Sequence, residues 1–455
     1  MQVNSINNYN IYAHNTANKK AVTNNNDKAN SNPISQSQVH FNGFWSDLFS
    51  SNKFKTKSEN KMYKELDGIL TGKDKTNFDI LYKTGRLSNR DSNDKSSTLE
   101  NLYKIYKNPR VEGLQSKKIL SETIERLANP FIINQKFGKI PENLGTATIQ
   151  NSAGNTHPYT PKTLNDLDVK NSACCVAASI EFSLADKKPA EFARYAEALS
   201  SKDMAVIQNI KLSNLNKDVL DALYLLKLFN VKPIKADWKE ATIKIEPDKD
   251  AIIRARVQSD QYNGMNRSSV DVLIQSAFMQ LGSQGTYNSL TDKRLGFLTS
   301  SDNTGLIEFE KTFVESVVNN DGEKTSVVYQ NFDNNSVLQG YFYTPEVVQD
   351  QLLKTLKQNK NVIIGITEVN AKKEMTGGHE LTLIGYEVRD GELYFICNDT
   401  DDDYVGKKMV KAKDIIPQIH HAGIPVANLP DQTEEDTGKK LLKEYATKFL
   451  ENNLA

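Results

Sequence analysis

A β-hairpin is written into residues 379–397. From His379 onward, Leu381, Leu383 and Gly385 alternate with Thr382, Ile384 and Tyr386, and Leu393 to Cys397 forms a second apolar run. Between the runs stands Asp390-Gly391, a dipeptide that accepts the left-handed backbone of a tight hairpin turn. Two strands joined this way lie antiparallel, and Val362 to Thr367 reads as another strand upstream. Elsewhere the period is helical. Leu99, Leu102, Tyr103 and Tyr106 recur at i, i+3, i+4 and i+7, and Ile119, Ile124 and Leu127 nearly do. Pro130 ends that run, because proline cannot continue a helix ladder. Helices in one stretch and hairpin-joined strands in another predict an α+β chain.

The texture divides the chain into four parts. Residues 1–42 are rich in Asn, Ser, Gln and Lys and are expected to form a disordered leader, too poor in apolar surface to offset the entropy of ordering. Residues 43–137 form a helical region that begins near the cluster Phe44-Trp45. Residues 138–430 mix strands and helices, with helices expected over Ala173 to Ala185, Asp218 to Phe229 and Val270 to Leu281. A charged tail, 431–455, carries a final amphipathic helix over Gly438 to Leu450. No internal repeat is present.

Lysine plus arginine, 57, equals aspartate plus glutamate, 57, so no whole-molecule charge argues for a nucleic-acid or anionic-membrane partner. No apolar run approaches the ~18 residues of a membrane span. The first residues, Met1-Gln2-Val3-Asn4-Ser5, lack the charged and apolar regions of a secretory signal, so the default expectation is cytoplasmic. The acid-poor polar leader motivates the alternative of non-classical secretion as an effector.

Three cysteines occur, Cys174, Cys175 and Cys397. An odd number with two adjacent is no disulfide framework, and Cys-Cys lacks the spacer that lets two thiolates share a zinc ion. No metal and no cofactor is expected. Chemistry concentrates instead on Asn171-Ser172-Ala173-Cys174-Cys175-Val176, where Asn171 or Ser172 can cap a helix planted by Val176, Ile180 and Leu184. Cys175 would then lie in the first turn. There the open backbone N–H groups and the positive end of the dipole favour a thiolate and face a developing oxyanion. Far downstream, Thr376-Gly377-Gly378-His379 places an imidazole where a glycine turn enters a strand. The hairpin returns Asn398-Asp399 beside it, an amide and a carboxylate able to orient the ring.

Cys175-Val176-Ala177-Ala178-Ser179 resembles the Cys-Trp-Ala-Phe-Ser helix of papain-like cysteine peptidases. Gly378-His379 with Gly385-Tyr386 is similar to their histidine strand, and Tyr394-Phe395-Ile396 leading to Asn398-Asp399 is similar to the strand that delivers their third residue. The order Cys, His, Asn/Asp is also theirs. The long Cys–His separation resembles calpain-like members. The resemblance spans about 165–402. It implies a papain-like domain acting on a protein or peptide substrate, with Cys175 as nucleophile, His379 as general base and Asp399 or Asn398 as third residue. Counting from Tyr394 favours Asp399. A strict two-residue turn would put Asn398 on the face of His379, and one bulge would exchange them. A calpain-like register would move the nucleophile to Cys174. The tryptophan after the nucleophile is absent, Val169 stands where an oxyanion glutamine is usual, and Asn171 is the nearest side-chain donor. Those departures keep open a catalytically inactive binding module. The same machinery also serves amidases, transglutaminases and deubiquitinases.

Other features read as structural. His420-His421 is expected to be a surface or loop pair, lacking a neighbouring ligand at metal spacing. Asp399 with Asp401-Asp402-Asp403 lacks the spacing of a calcium loop and reads as a solvated acidic turn. Cys397 is expected in the core and His157 on a loop. Tyr287 to Gly296 is either the lining of a substrate cleft or a plain polar loop.

Overall fold

The computed structural model describes residues 54, 56–136, 148–150, 156–158, 172–211, 234–236, 240–261, 267–283, 285–289, 292–294, 305–333, 335–401 and 405–429. The leader, the helix expected over 218–229, the C-terminal helix and Asn171 lie outside these residues.

Four helices open the described chain: α1 (Lys57–Ile69), α2 (Gly72–Lys83), α3 (Thr98–Lys107) and α4 (Ser116–Ala128). Reciprocal capping starts two of them. Thr56 Oγ1 accepts the Glu59 N–H while the Glu59 carboxylate accepts that of Thr56, both at 3.0 Å. Ser97 and Glu100 repeat the arrangement at α3. Further along come α5 (Cys175–Lys187), α6 (Pro189–Leu199), α7 (Ala251–Gln261), α8 (Ser269–Ser283), α9 (Glu308–Asn319) and α10 (Pro345–Lys357). Leu66, Phe78, Leu99, Leu102, Ile119 and Ile124 of the first four helices share one core with Val176 and Ile180 of α5, Phe192 of α6 and Leu273 and Phe278 of α8. The boundary expected near residue 138 therefore does not separate two cores. Arg126 of α4 and Asp271 of α8, both fully buried, form a bidentate ion pair across that core.

Six strands make the main sheet: β1 (Lys324–Val328), β2 (Val362–Val369), β3 (Met375–Arg389), β4 (Glu392–Asn398), β5 (Lys408–Lys411) and β6 (Ile419–Pro425). Their order is β5-β4-β3-β2-β6-β1, every neighbour antiparallel. The turn between β3 and β4 has Asp390 and Gly391 at φ 51° and 78°, the left-handed pair that Asp-Gly supplies. Helix α10 covers one face over Val362, Ile364, Leu381 and Leu383, while Ile363 belongs to the helical core on the other. Both faces of β2 are thus covered, which explains its unbroken buried run from Val362 to Gly365. The described chain is mixed helix and strand, with helices packed on an antiparallel sheet, in keeping with the α+β expectation.

Three register shifts interrupt the ladders of this sheet, one of them between Glu368 and Val369 at the end of β2, and the other two bear on functional side chains. One lies between Leu383 and Gly385 of β3 opposite β4. The other is in β6, where His421 pairs with Gly365 and Ile419 pairs with Ile366, leaving His420 as an extra residue. The expectation of a surface or loop pair at His420-His421 is corrected. Both are buried in a strand flanked on either side, with 2% and 7% of their surface exposed. His157 is likewise in a short strand, Thr156–Pro158, opposite Ile149 rather than on a loop. Cys397 is fully buried in the core. Among the described residues no helix is long and apolar enough to cross a membrane.

Candidate active site

Helix α5 is buried along most of its length, with Val176, Ala177, Ala178, Ile180, Phe182 and Leu184 each almost inaccessible. Such burial fixes the position of its first turn against the sheet. The helix begins at Cys175, with Cys174 in the cap position and no side chain capping it. Ser172 Oγ instead accepts the Cys174 N–H at 3.1 Å, and the first ladder bond runs from Ala178 N–H to Cys174 O at 2.8 Å. The helix cap expected of Ser172 is corrected accordingly. The N–H groups of Cys175, Val176 and Ala177 precede that first bond and form the positive end of the helix.

His379 lies in the first half of β3, partly exposed. Its Nε2 is 2.7 Å from Asp399 Oδ1, and the Cys175 side chain lies near enough to act on the ring electrostatically. With Nε2 engaged by the carboxylate, Nδ1 is the nitrogen left for the thiol. Asp399 sits one residue beyond β4, and its other oxygen lies 3.6 Å from Lys408 Nζ. A helix start, a strand and a strand end therefore bring Cys175, His379 and Asp399 together.

A bulge decides whether Asp399 or Asn398 meets the imidazole. From Arg389–Glu392 to Gly385–Ile396 the hairpin keeps one register, and continued unbroken it would bring Asn398 onto the face of His379. Past the bulge the register shifts by one residue, so that Leu383 pairs with Cys397 and Thr382 with Asn398. Continuing the shifted register sets Asp399 opposite Leu381, on the face of His379, and leaves Asn398 on the opposite face with Thr382. Asn398 is buried there and is not the partner of the imidazole.

Cys174 points the other way. Its fully buried Sγ lies 3.1 Å from Tyr287 Oη, 3.2 Å from Asp292 Oδ1 and 3.6 Å from Arg267 Nη1. Arg267 and Asp292 are themselves a buried bidentate pair, at 2.6 and 3.3 Å. Burial, reinforced by the Asp292 charge, pushes the Cys174 thiol up, so it stays protonated at neutral pH. Tyr287 and Asp292 consequently support the start of α5 from beneath. For these two residues, the expected cleft lining or polar loop is corrected to a buried polar cluster. Asp401 is exposed, its N–H donated to Asp399 Oδ1 at 3.1 Å, and residues 402 and 403 lie outside the described residues.

Burial opposes a charge on His379, but the bond to Asp399 and the nearby Cys175 outweigh it and raise the imidazole to about 10. Burial also works against ionised Asp399, and the His379 bond overcomes it, so the carboxyl falls below its usual range. At neutral pH the pair is therefore imidazolium and carboxylate. A raised histidine favours the folded state below its unfolded value, and that contribution is lost as pH rises through about 10. Opening of an epoxide by Cys175 draws a proton from the imidazolium, so its rate is expected to show an alkaline limb near pH 10. In Asp399→Ala the limb should move to lower pH, since burial remains while the larger raising contact is gone. A pH–rate series on both proteins checks this, and an unmoved limb would refute the assignment.

No protein-family model matches this chain, and no curated protein sequence matches it. The site therefore stands on its own geometry. Ser172, Tyr287 and Asp292 meet around Cys174 only through folding. Arg267, which joins them there, carried no sequence signal. Gly305 is another: a Cβ there would come 3.1 Å from the Ala173 carbonyl oxygen and 3.9 Å from Cys175 Sγ. The tighter of these contacts, with the Ala173 carbonyl just ahead of the helix, is the one a side chain there would disturb.

Proposed function

We propose that the chain is a cysteine hydrolase of the papain-like kind, acting on peptide or isopeptide bonds. The observation that carries the reading is the meeting of Cys175, His379 and Asp399 at the start of a buried helix. The imidazolium holds the proton of the thiol, and the thiolate attacks a substrate carbonyl carbon. Negative charge gathers on the carbonyl oxygen, where N–H groups of the first turn of α5 can receive it. His379 then gives its proton to the leaving amine as the C–N bond breaks, leaving a thioester on Cys175. Water attacks the thioester, His379 takes its proton, and the acid departs as the thiolate and imidazolium return. Asp399 orients the ring throughout and favours its charged form. Asn171, the side-chain donor expected at the oxyanion, lies outside the described residues. Amidases and deubiquitinases resolve the same kind of acyl-enzyme with water, and transglutaminases resolve it with an amine.

The test is alkylation by a broad epoxide inactivator of cysteine peptidases, with the adduct mapped by peptide mass spectrometry. The adduct is expected on Cys175 and absent in Cys175→Ala, while Cys174→Ala labels as the wild type does. Labelling of Cys174 instead would overturn the assignment of the nucleophile. Labelling of folded protein no faster than a free thiol would favour the inactive binding module.

A further inference from the structure

Away from the thiol, a second group of chemically able side chains converges on the inner strands of the sheet. His420 and His421 are consecutive in β6, and consecutive strand residues ordinarily point to opposite faces. The bulge at His420 removes that constraint and brings the two rings together, their Nδ1 atoms 3.0 Å apart. Glu308, the first residue of α9, completes a triangle. Its Oε1 is 3.2 Å from His420 Nδ1 and 3.7 Å from His421 Nδ1. All three residues are buried.

The triangle has the dimensions of three ligands around one ion. Bonds of about 2.0–2.1 Å at tetrahedral angles place donor atoms about 3.3 Å from one another. Two imidazoles and a carboxylate are also a donor set that zinc accepts. The surroundings fit as well. His421 Nε2 lies 2.8 Å from Glu380 Oε1, close enough for that carboxylate to orient a ligating imidazole. Lys311 Nζ stands 3.3 Å from the other Glu380 oxygen, behind the site. Gly365 makes space for the ring, since a Cβ there would run into His421 Cε1. Among the described residues, Glu308 and Glu380 set two carboxylates around the histidines, with the Lys311 ammonium against Glu380.

We propose that Glu308, His420 and His421 bind a divalent transition-metal ion, with zinc the best fit, as a structural clamp between α9 and the bulged strand β6. Glu380 orients His421 and follows His379 directly in β3, so the clamp would hold the strand that carries the imidazole. The competing account is a metal-free polar network in which one imidazole donates to the other.

The test uses the full chain carrying Cys175→Ala, which keeps that thiol from binding the probe. Purified, chelator-treated protein is titrated with zinc and with cobalt(II), following stoichiometry by elemental analysis and cobalt coordination by visible absorption. Expected is one equivalent bound, with the absorption of nitrogen and oxygen ligands, no thiolate charge-transfer band, and a higher unfolding temperature. His421→Asn and Glu308→Gln should lose stoichiometric binding, and Glu380→Gln should weaken it about 10–100-fold. Should His421→Asn fail to fold, the wild-type ligands and the Glu380→Gln titration still decide. Absence of stoichiometric binding in the wild-type ligand set would overturn the proposal. So would binding that all three substitutions leave unchanged.

Discussion

His379→Ala is expected to slow alkylation of Cys175, and acylation by substrate, by about 10²–10⁴-fold, the range that a positioned acid–base group supplies. In free energy that is about 3–5 kcal/mol of barrier. The loss has two parts. Without the imidazolium, the thiol at the start of α5 keeps only the helix end to favour its thiolate. Without a proton on Nδ1, the leaving amine departs unaided. Asp399→Asn should cost less, because the imidazole remains while its orientation and charge lose support. Circular dichroism would establish that each variant is folded, and pseudo-first-order alkylation rates would give the ratio. A His379→Ala protein that alkylates at the wild-type rate would show that the thiol is not activated by this histidine, and the hydrolase reading would fail with it.

Asp292→Ala is expected to destabilise the fold by about 3–5 kcal/mol, the cost of removing one partner from a buried ion pair. Arg267 is 1% exposed, and its charge is held inside the protein opposite the Asp292 carboxylate. The same carboxylate receives the Tyr287 hydroxyl and faces the Cys174 thiol, so polar groups directly under the start of α5 lose a partner together. Replacing both charges, Asp292→Ala with Arg267→Met, should recover much of the loss, since the uncompensated charge leaves with its partner. Urea unfolding of the two variants measures the difference. A single-variant loss below about 1 kcal/mol would place the pair in the class of solvent-screened bridges, contrary to its burial.

Much of the local structure is legible in the chain. The Asp390-Gly391 turn and its two strands appear where the alternation puts them, because period and two left-handed residues set both faces of that hairpin. The helix of Cys175 is legible for a related reason: Val176, Ile180 and Leu184 repeat at a spacing that has one buried solution. At the cap the sequence misleads, since Ser172 bonds the Cys174 N–H, which lies ahead of the helix rather than in its first turn. At His420-His421 it misleads for a stronger reason. Adjacent histidines with no ligand at metal spacing resemble a surface pair, although Ile416, Ile419 and Ile424 around them are apolar. Their third companion, Glu308, is more than a hundred residues away in sequence and reaches them only across the packed sheet.

Local pattern was enough for the mixed helix-and-strand character, the helix that opens at the thiol, the strand that carries the imidazole, and Asn398-Asp399 as the returning polar end. Those features follow from periodicity and turn chemistry, which act over a few residues. Folding alone selects between the members of each neighbouring pair. Cys175 rather than Cys174 meets His379 because the helix start turns one thiol toward the sheet and the other into the Arg267–Asp292 pair. Asp399 rather than Asn398 meets it because a single bulge shifts the strand register by one residue, and in a strand one residue is the difference between two faces.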